Sequence, residues 1–416
     1  MLPNEILLNI FYYLTWDQVL ISLWSLNKRI NSLIDSTFLI NKNGIILNKP
    51  GLSYQTFSST LLPIILNSSS LCSSIKYICF EGINSISFDF IYENIFYHDN
   101  KPIVCFPNLK SLYITQCLLS QSLVRLLSLL IQYQLNELTL TFDEDIYDTF
   151  NNSEDSDYGK MRTMFQELLR QLFSDQCQLT YLHLDITNTF YNIYQCLDSN
   201  SHLKSNIIST EYQSYCLTLR HLEIQLGYTY ILEYIIEHVP NLEKLSVYVE
   251  GSLIDNVNFS SNIQRSRLSN ENWFNKIPKL ECFKLKSYIE NDLEFSYLKW
   301  LLNNINHIKK LEIHLYIRKL SKSDQFILKS FIDANFIHQY CLPDQIINLK
   351  DFRFYIRVKR QLSLDDIKKI INSFKTNSFF IYHQWTTVKC FYNKKKSYQY
   401  LFSSILDQYQ LFDGLL

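Results

Sequence analysis

The chain has 416 residues, 39 basic and 40 acidic side chains, a net charge of −1, and is 47% hydrophobic and 15% aromatic. That is enough apolar material for roughly two to three domains and excludes a chain disordered throughout; the near-zero charge argues against a generic binder of nucleic acid or anionic membrane. No run of about 18 apolar residues exists, so no membrane span is expected. The first elements are three short helices. Residues 1–14 lack a basic n-region, and Ile6, Leu7, Ile10, Phe11 and Leu14 recur at helical spacing, which predicts an amphipathic helix and not a secretory leader. Pro3 suits its first turn. Thr15 and Gln18 have capping-box spacing and open a second helix, with Val19, Leu20, Leu23 and Leu26 turned inward. Asn27 caps a third, with Ile30, Leu33, Ile34 and Phe38 inward. Three such helices hold too small a core to stand alone, so residues 1–48 need either an attached domain or a partner.

The segment LPNEILLNIFYYLTWDQVLISLWSLNKRINSLI carries Leu-Pro, Glu-Ile-Leu, Ile-Phe, Tyr-Leu, an acidic residue and a closing Asn-Lys-Arg, in order. It resembles the F-box, with Ile30 where many members have Trp. The resemblance implies docking on the Skp adaptor of a cullin–RING ubiquitin ligase. Carried over by position, Leu2, Pro3, Ile6, Leu7, Ile10, Phe11 and Leu14 form the adaptor-facing edge, continued by Leu20 and Leu23.

Residues 49–70 read as a linker and capping helix. From residue 75 a six-residue phrase recurs: apolar, two variable, apolar, one variable, apolar. It begins at Ile75, Leu109, Leu135, Leu179, Leu219, Leu242, Leu280, Ile308 and Leu349, at spacings of 23 to 44 residues. Each phrase predicts a turn entering a strand of alternating burial, extended in Leu245/Val247/Val249, Leu311/Ile313/Leu315/Ile317 and Phe352/Phe354/Ile356/Val358. Between phrases lie helical faces: Leu123, Leu126, Leu127, Leu130 and Ile131; Ile231, Leu232, Ile235, Ile236 and Val239; Ile367, Ile370, Ile371 and Phe374. Pro107, Pro240 and Pro278 each stand two residues before a phrase, where a helix must stop. Strand and helix alternating in one sense require a parallel sheet with crossovers. The expected fold class is therefore α/β: a three-helix module followed by an irregular α/β solenoid over 71–385, its sheet on the concave side, and a C-terminal cap over 386–416. The phrase resembles the leucine-rich repeat, whose later Asn/Cys position is matched by Cys117. A doubly wound open sheet is the alternative. The acidic stretch 142–159 is expected to be a solvated loop, with Ser153 and Ser156 in kinase-compatible surroundings.

Motifs for chemistry are missing. The seven glycines show neither dinucleotide-fingerprint nor P-loop spacing, and G-x-S-x-G and H-E-x-x-H do not occur. None of the ten cysteines is two or four residues from another, so free thiols in a reducing compartment, cytoplasmic or nuclear, are expected. His183, His221 and His314 occupy outward strand positions and could approach one another across the sheet, but three surface histidines are a weak metal signal, so no metal and no cofactor are expected. The candidate surface is the outward sheet face. Its early part offers Tyr113, Thr115, Glu137, Thr139, Tyr181, His183 and Asp185. Its late part, Lys284, Lys286, Lys310, Arg353, Tyr355 and Arg357, suits an acidic or phosphorylated protein target. The reading is a non-enzymatic substrate receptor that joins the adaptor to an unidentified target protein. A repeat scaffold whose helices merely cap the array, and an RNA- or phosphoinositide-binding late face, are the alternatives.

Overall fold

The structure, a computed structural model, describes residues 2–39, 44–47, 54–81, 97–98, 101–102, 106–117, 119–142, 155–186, 194–197, 215–227, 229, 231–253, 273–317 and 331–403. It is a mixed α/β protein with mostly parallel sheet. The chain divides into two compact units, Met1–Asp185 with Ile208–Leu219, and Ile186–Ile207 with Arg220–Leu416.

In the first unit, α1 (Asn4–Tyr12), α2 (Trp16–Leu23) and α3 (Lys28–Leu39) precede a five-stranded parallel sheet. Its strands are β1 (Ile45–Leu47), β2 (Tyr77–Glu81), β3 (Ser111–Cys117), β4 (Glu137–Phe142) and β5 (Tyr181–Asp185), in sequential order. The sheet thus begins at Ile45, before the module boundary expected at residue 48. Its first strand needs Gly44: a Cβ there would strike the Tyr77 carbonyl oxygen. A helical run follows, Tyr54–Thr56, a π-turn over Phe57–Leu61 and Leu62–Leu66, then α4 (Ser69–Ser74). These occupy most of the expected linker, whose residues 49–53 lie outside the described residues. Helix α5 (Gln121–Tyr133) buries all five expected apolar residues. Helix α6 (Asp155–Leu172) starts inside the stretch expected to be an acidic loop, and its C-terminal half buries Phe165, Leu168, Leu169 and Leu172. Residues 143–154, Ser153 among them, lie outside the described residues.

In the second unit the strands are β6 (His221–Leu226), β7 (Lys244–Ser252), β8 (Cys282–Ile289), β9 (Lys310–Ile317) and β10 (Asp351–Val358), parallel and in sequential order. They are interleaved with α7 (Ile231–Glu237), α8 (Asp292–Asn304) and α9 (Ala334–Tyr340), and followed by α10 (Leu364–Thr376). The chain then departs from the all-parallel expectation. Strands β11 (Val388–Asn393) and β12 (Tyr398–Ser403) form an antiparallel hairpin, and β12 pairs antiparallel with β10. The expected cap is thus partly a pair of sheet strands; residues 404–416 lie outside the described residues.

Every phrase starts two residues before a strand, and all three of its apolar positions are buried in all nine copies. A repeated backbone bond sets the register. The carbonyl of the phrase's second residue accepts two N–H groups from the next phrase: Lys76 from Lys110 and Ser111, Glu281 from Lys309 and Lys310, Lys309 from Lys350 and Asp351, at 2.8–3.1 Å. The three prolines sit second in tight turns closed by 3.1 Å bonds, Leu109 N–H to Phe106, Leu242 N–H to Val239 and Leu280 N–H to Ile277. Proline's fixed φ suits that position. Helices cover the buried face: Phe374 of α10 stacks on Phe354 of β10, with ring centroids 5.8 Å apart.

Candidate functional site

The three N-terminal helices are held by local polar contacts. Thr15 N–H donates to Gln18 Oε1 (3.0 Å), and Ile30 N–H to Asn27 Oδ1 (2.9 Å). Arg29 ties α3 to the start of α1, donating to the Leu2 carbonyl (2.6 Å) and to Asn4 Oδ1 (2.8 Å from Nε). Phe11, Val19, Leu20, Leu33, Ile34 and Phe38 make the small core. This corrects two residues of the expected adaptor edge: Phe11 is 3% and Leu20 1% exposed, because each faces the neighbouring helices and supports the surface from beneath. Leu7, Leu14 and Leu23 are half-buried. Leu2, Ile6 and Ile10 are 52%, 44% and 43% exposed, and Pro3 is exposed with them. Tyr12, Tyr13, Ile21 and Leu26 add exposed apolar area that the sequence reading did not include; Leu26, expected inward, follows the end of α2 and turns out to solvent. Monomeric surfaces seldom gather this much apolar area on one small element. The module also touches the sheet, since Trp16 Nε1 donates to the Ile46 carbonyl at 2.7 Å.

The outward face of the second unit is a grid, because equivalent residues of successive strands are in register. The first row is His221–Lys244–Cys282–Lys310–Asp351, the second Glu223–Ser246–Lys284–Glu312–Arg353. The third is Gln225–Tyr248–Lys286–His314–Tyr355–Phe402, and the fourth Tyr288–Tyr316–Arg357–Tyr400. The charges of the second row are met by near neighbours. Lys284 Nζ and His314 Nε2 lie 2.8 and 2.9 Å from Glu312 Oε1, and Arg353 pairs with Asp351 at 3.0 Å. Burial alone would raise the Glu312 carboxyl; His314 and Lys284 bring it down to about 2.

The third and fourth rows are different. Lys286 Nζ lies 4.3 Å from the Tyr248 ring centroid and 5.8 Å from that of Tyr316. The Arg357 guanidinium lies 4.7 Å from the Tyr316 centroid and 4.8 Å from that of Tyr398. Contacts of this kind contribute about 0.5–1 kcal/mol when exposed and about 2 when desolvated. Burial pulls the Lys286 ammonium below the ordinary lysine value, and Lys284 and Arg357 act in the same sense. Tyr355, expected as an exposed contact, is buried with Tyr400 and Phe402, which the antiparallel strand paired beside β10 brings against it. Lys310 stands exposed in the first row. In the first unit Thr139 is buried, whereas Tyr113 and Tyr181 are half-buried.

No protein-family model matches the chain, and no curated protein matches it. The reading therefore rests on the residues themselves. Among the described residues no group of three or more His, Cys, Asp or Glu side chains is placed to hold a metal, and no helix is long and apolar enough to cross a membrane. Sequence reading missed Tyr248, Tyr316 and Tyr398 as partners of the cations. For the first two a signal exists. Counted from the first residue of its phrase, Tyr248 shares the seventh place with Lys286, His314 and Tyr355, and Tyr316 the ninth with Tyr288 and Arg357. The six-residue phrase stopped one place short of that row.

Proposed function

We propose that the chain is a non-catalytic substrate receptor of a Skp–cullin–F-box type ubiquitin ligase. The three helices are an F-box-like module that docks the Skp adaptor, and the in-register strands are a leucine-rich-repeat-type solenoid that holds a target protein. The observation that carries this reading is the apolar surface of Leu2, Ile6 and Ile10, exposed on a module whose own core is already filled by Phe11 and Leu20. Its mechanism is proximity: a held target meets a ubiquitin thioester formed elsewhere at raised effective concentration. The test is capture of the purified full chain on immobilised adaptor. Wild type is retained, and the double variant Leu2→Ala, Ile10→Asp is lost while its melting curve is unchanged. Failure of wild type to bind sinks the reading.

A second reading is favoured by the Trp16–Ile46 bond and by the packing of α3 on α4: the helices cap the first strand of a repeat scaffold that has no ligase role. It gains if the same double variant lowers the melting temperature of the whole chain.

A further inference from the structure

On the outward face of the second unit, two cations stand apart from the rest. Lys284 and Arg353 have carboxylates beside them, and Lys244 and Lys310 are bathed in water. Lys286 and Arg357 are placed differently. Both are half-buried, and no described carboxylate lies within ion-pair distance of either. What surrounds them is tyrosine: Tyr248 and Tyr316 about Lys286, Tyr316 and Tyr398 about Arg357. Rings beside a guanidinium displace water from it without neutralising it, and its N–H groups pair with a carboxylate in two-point geometry. A half-buried cation beside rings, with no carboxylate among the described residues at ion-pair distance, is open to an anion from a ligand.

The spacing says what the other half is. Lys286 is on β8 and Arg357 on β10, with β9 and Tyr316 between them and one row of offset. Two inter-strand spacings are about 10 Å and one row about 7 Å, so the two Cα atoms stand roughly 12 Å apart. The Lys286 ammonium lies nearer Tyr248, on the strand away from Arg357, than Tyr316, and the Arg357 guanidinium lies about equally near Tyr316 and Tyr398. A single carboxylate or phosphate is too small to meet both. An extended peptide presents residues i and i+2 on one side about 7 Å apart, and i and i+4 about 13 Å apart. We propose that this face binds an extended acidic peptide segment whose carboxylates, two or four residues apart, pair with Lys286 and Arg357 across the Tyr316 ring. The proposal rests on reading this face as the target-recognition surface, and it holds or fails without regard to adaptor binding.

The test is fluorescence anisotropy with the purified full chain and labelled heptapeptides of serine carrying two glutamates. In one probe the glutamates are two residues apart, in a second four apart, in a third adjacent. A fourth probe carries one phosphoserine and no glutamate, and a fifth is a heptameric oligothymidine. The expected result is that the first or second probe binds at least about tenfold tighter than the adjacent-pair probe. Lys286→Gln and Arg357→Gln should each weaken that binding by about tenfold or more, the loss expected for a charge-assisted hydrogen bond. Lys310→Gln, in the exposed first row, should change it less than about twofold. Equal affinity for separated and adjacent glutamates overturns the proposal, because generic charge attraction does not read spacing. So does absence of binding, or tighter binding of the phosphoserine or thymidine probe. Should Arg357→Gln fail to melt cooperatively, the spacing series and Lys286→Gln decide alone. Retention on immobilised adaptor is measured on the same preparations, so loss of the peptide site and loss of the docking module are read separately.

Discussion

Glu312 holds the second row of the outward face together. Its Oε1 lies between Lys284 Nζ and His314 Nε2, and each pairing alone would be a modest surface contact. Around a half-buried carboxylate they act jointly and bring its pKa from 4.5 to about 2. A carboxyl depressed in the folded state adds stability that is fully present above its unfolded value and is lost as pH falls through its folded value. Here that window runs from about 4.5 down to about 2. Urea titrations of wild type and Glu312→Gln should therefore differ most at neutral pH and converge as pH drops through that window. A difference that does not shrink with acid would mean that Glu312 is unpaired in solution. The same carboxylate explains why Lys284, which looks in sequence like a partner of Lys286, is a poor candidate for ligand capture: its charge is already answered.

At the scale of elements, the strands were legible and their edges were not. Alternation in the phrases carries a period of two, and burial follows it without exception in β8, β9 and the phrase positions of β10. Leu311→Ala should cost about 2–5 kcal/mol, the range for a buried leucine, whereas Ser246→Ala on the outward side should stay within about 0.5 kcal/mol; chemical denaturation measures both. Similar losses at the two positions would contradict one-sided burial. What the phrase did not announce was β1, only three residues long, and the hairpin of β11 and β12, which lacks the turn that opens a phrase. Tyr355 was misplaced for the second reason: it lies outward on β10, and only a later antiparallel strand turns outward into buried. Phe11 and Leu20 were misplaced for another. A short helix can be apolar on more than one side, and periodicity alone does not say which side meets its neighbours and which meets a partner. The apolar residues of the N-terminal helices were thus legible as a set, but not which of them form the exposed patch.

At the scale of the molecule, each unit is built by adding one strand at a time in the same sense, with the same backbone bond passing from phrase to phrase. Such a pattern contains no instruction to stop. The last parallel strand, β10, would offer a row of unpaired N–H and C=O groups, to which a like strand from another copy can add. The antiparallel hairpin takes that place. Its outer strand carries Lys389, and the turn that closes it is Lys394–Lys395–Lys396, all exposed, a crowd of like charge against any further strand. Removing residues 386–416 should leave a chain that elutes earlier and scatters more light as its concentration rises, while the full chain does neither. Unchanged elution of the truncated chain would place the barrier elsewhere. If the hairpin is the barrier, the three lysines are less a ligand site than a fence: they fix how long the array can grow, and they keep each copy of the protein a separate particle rather than the seed of a fibre.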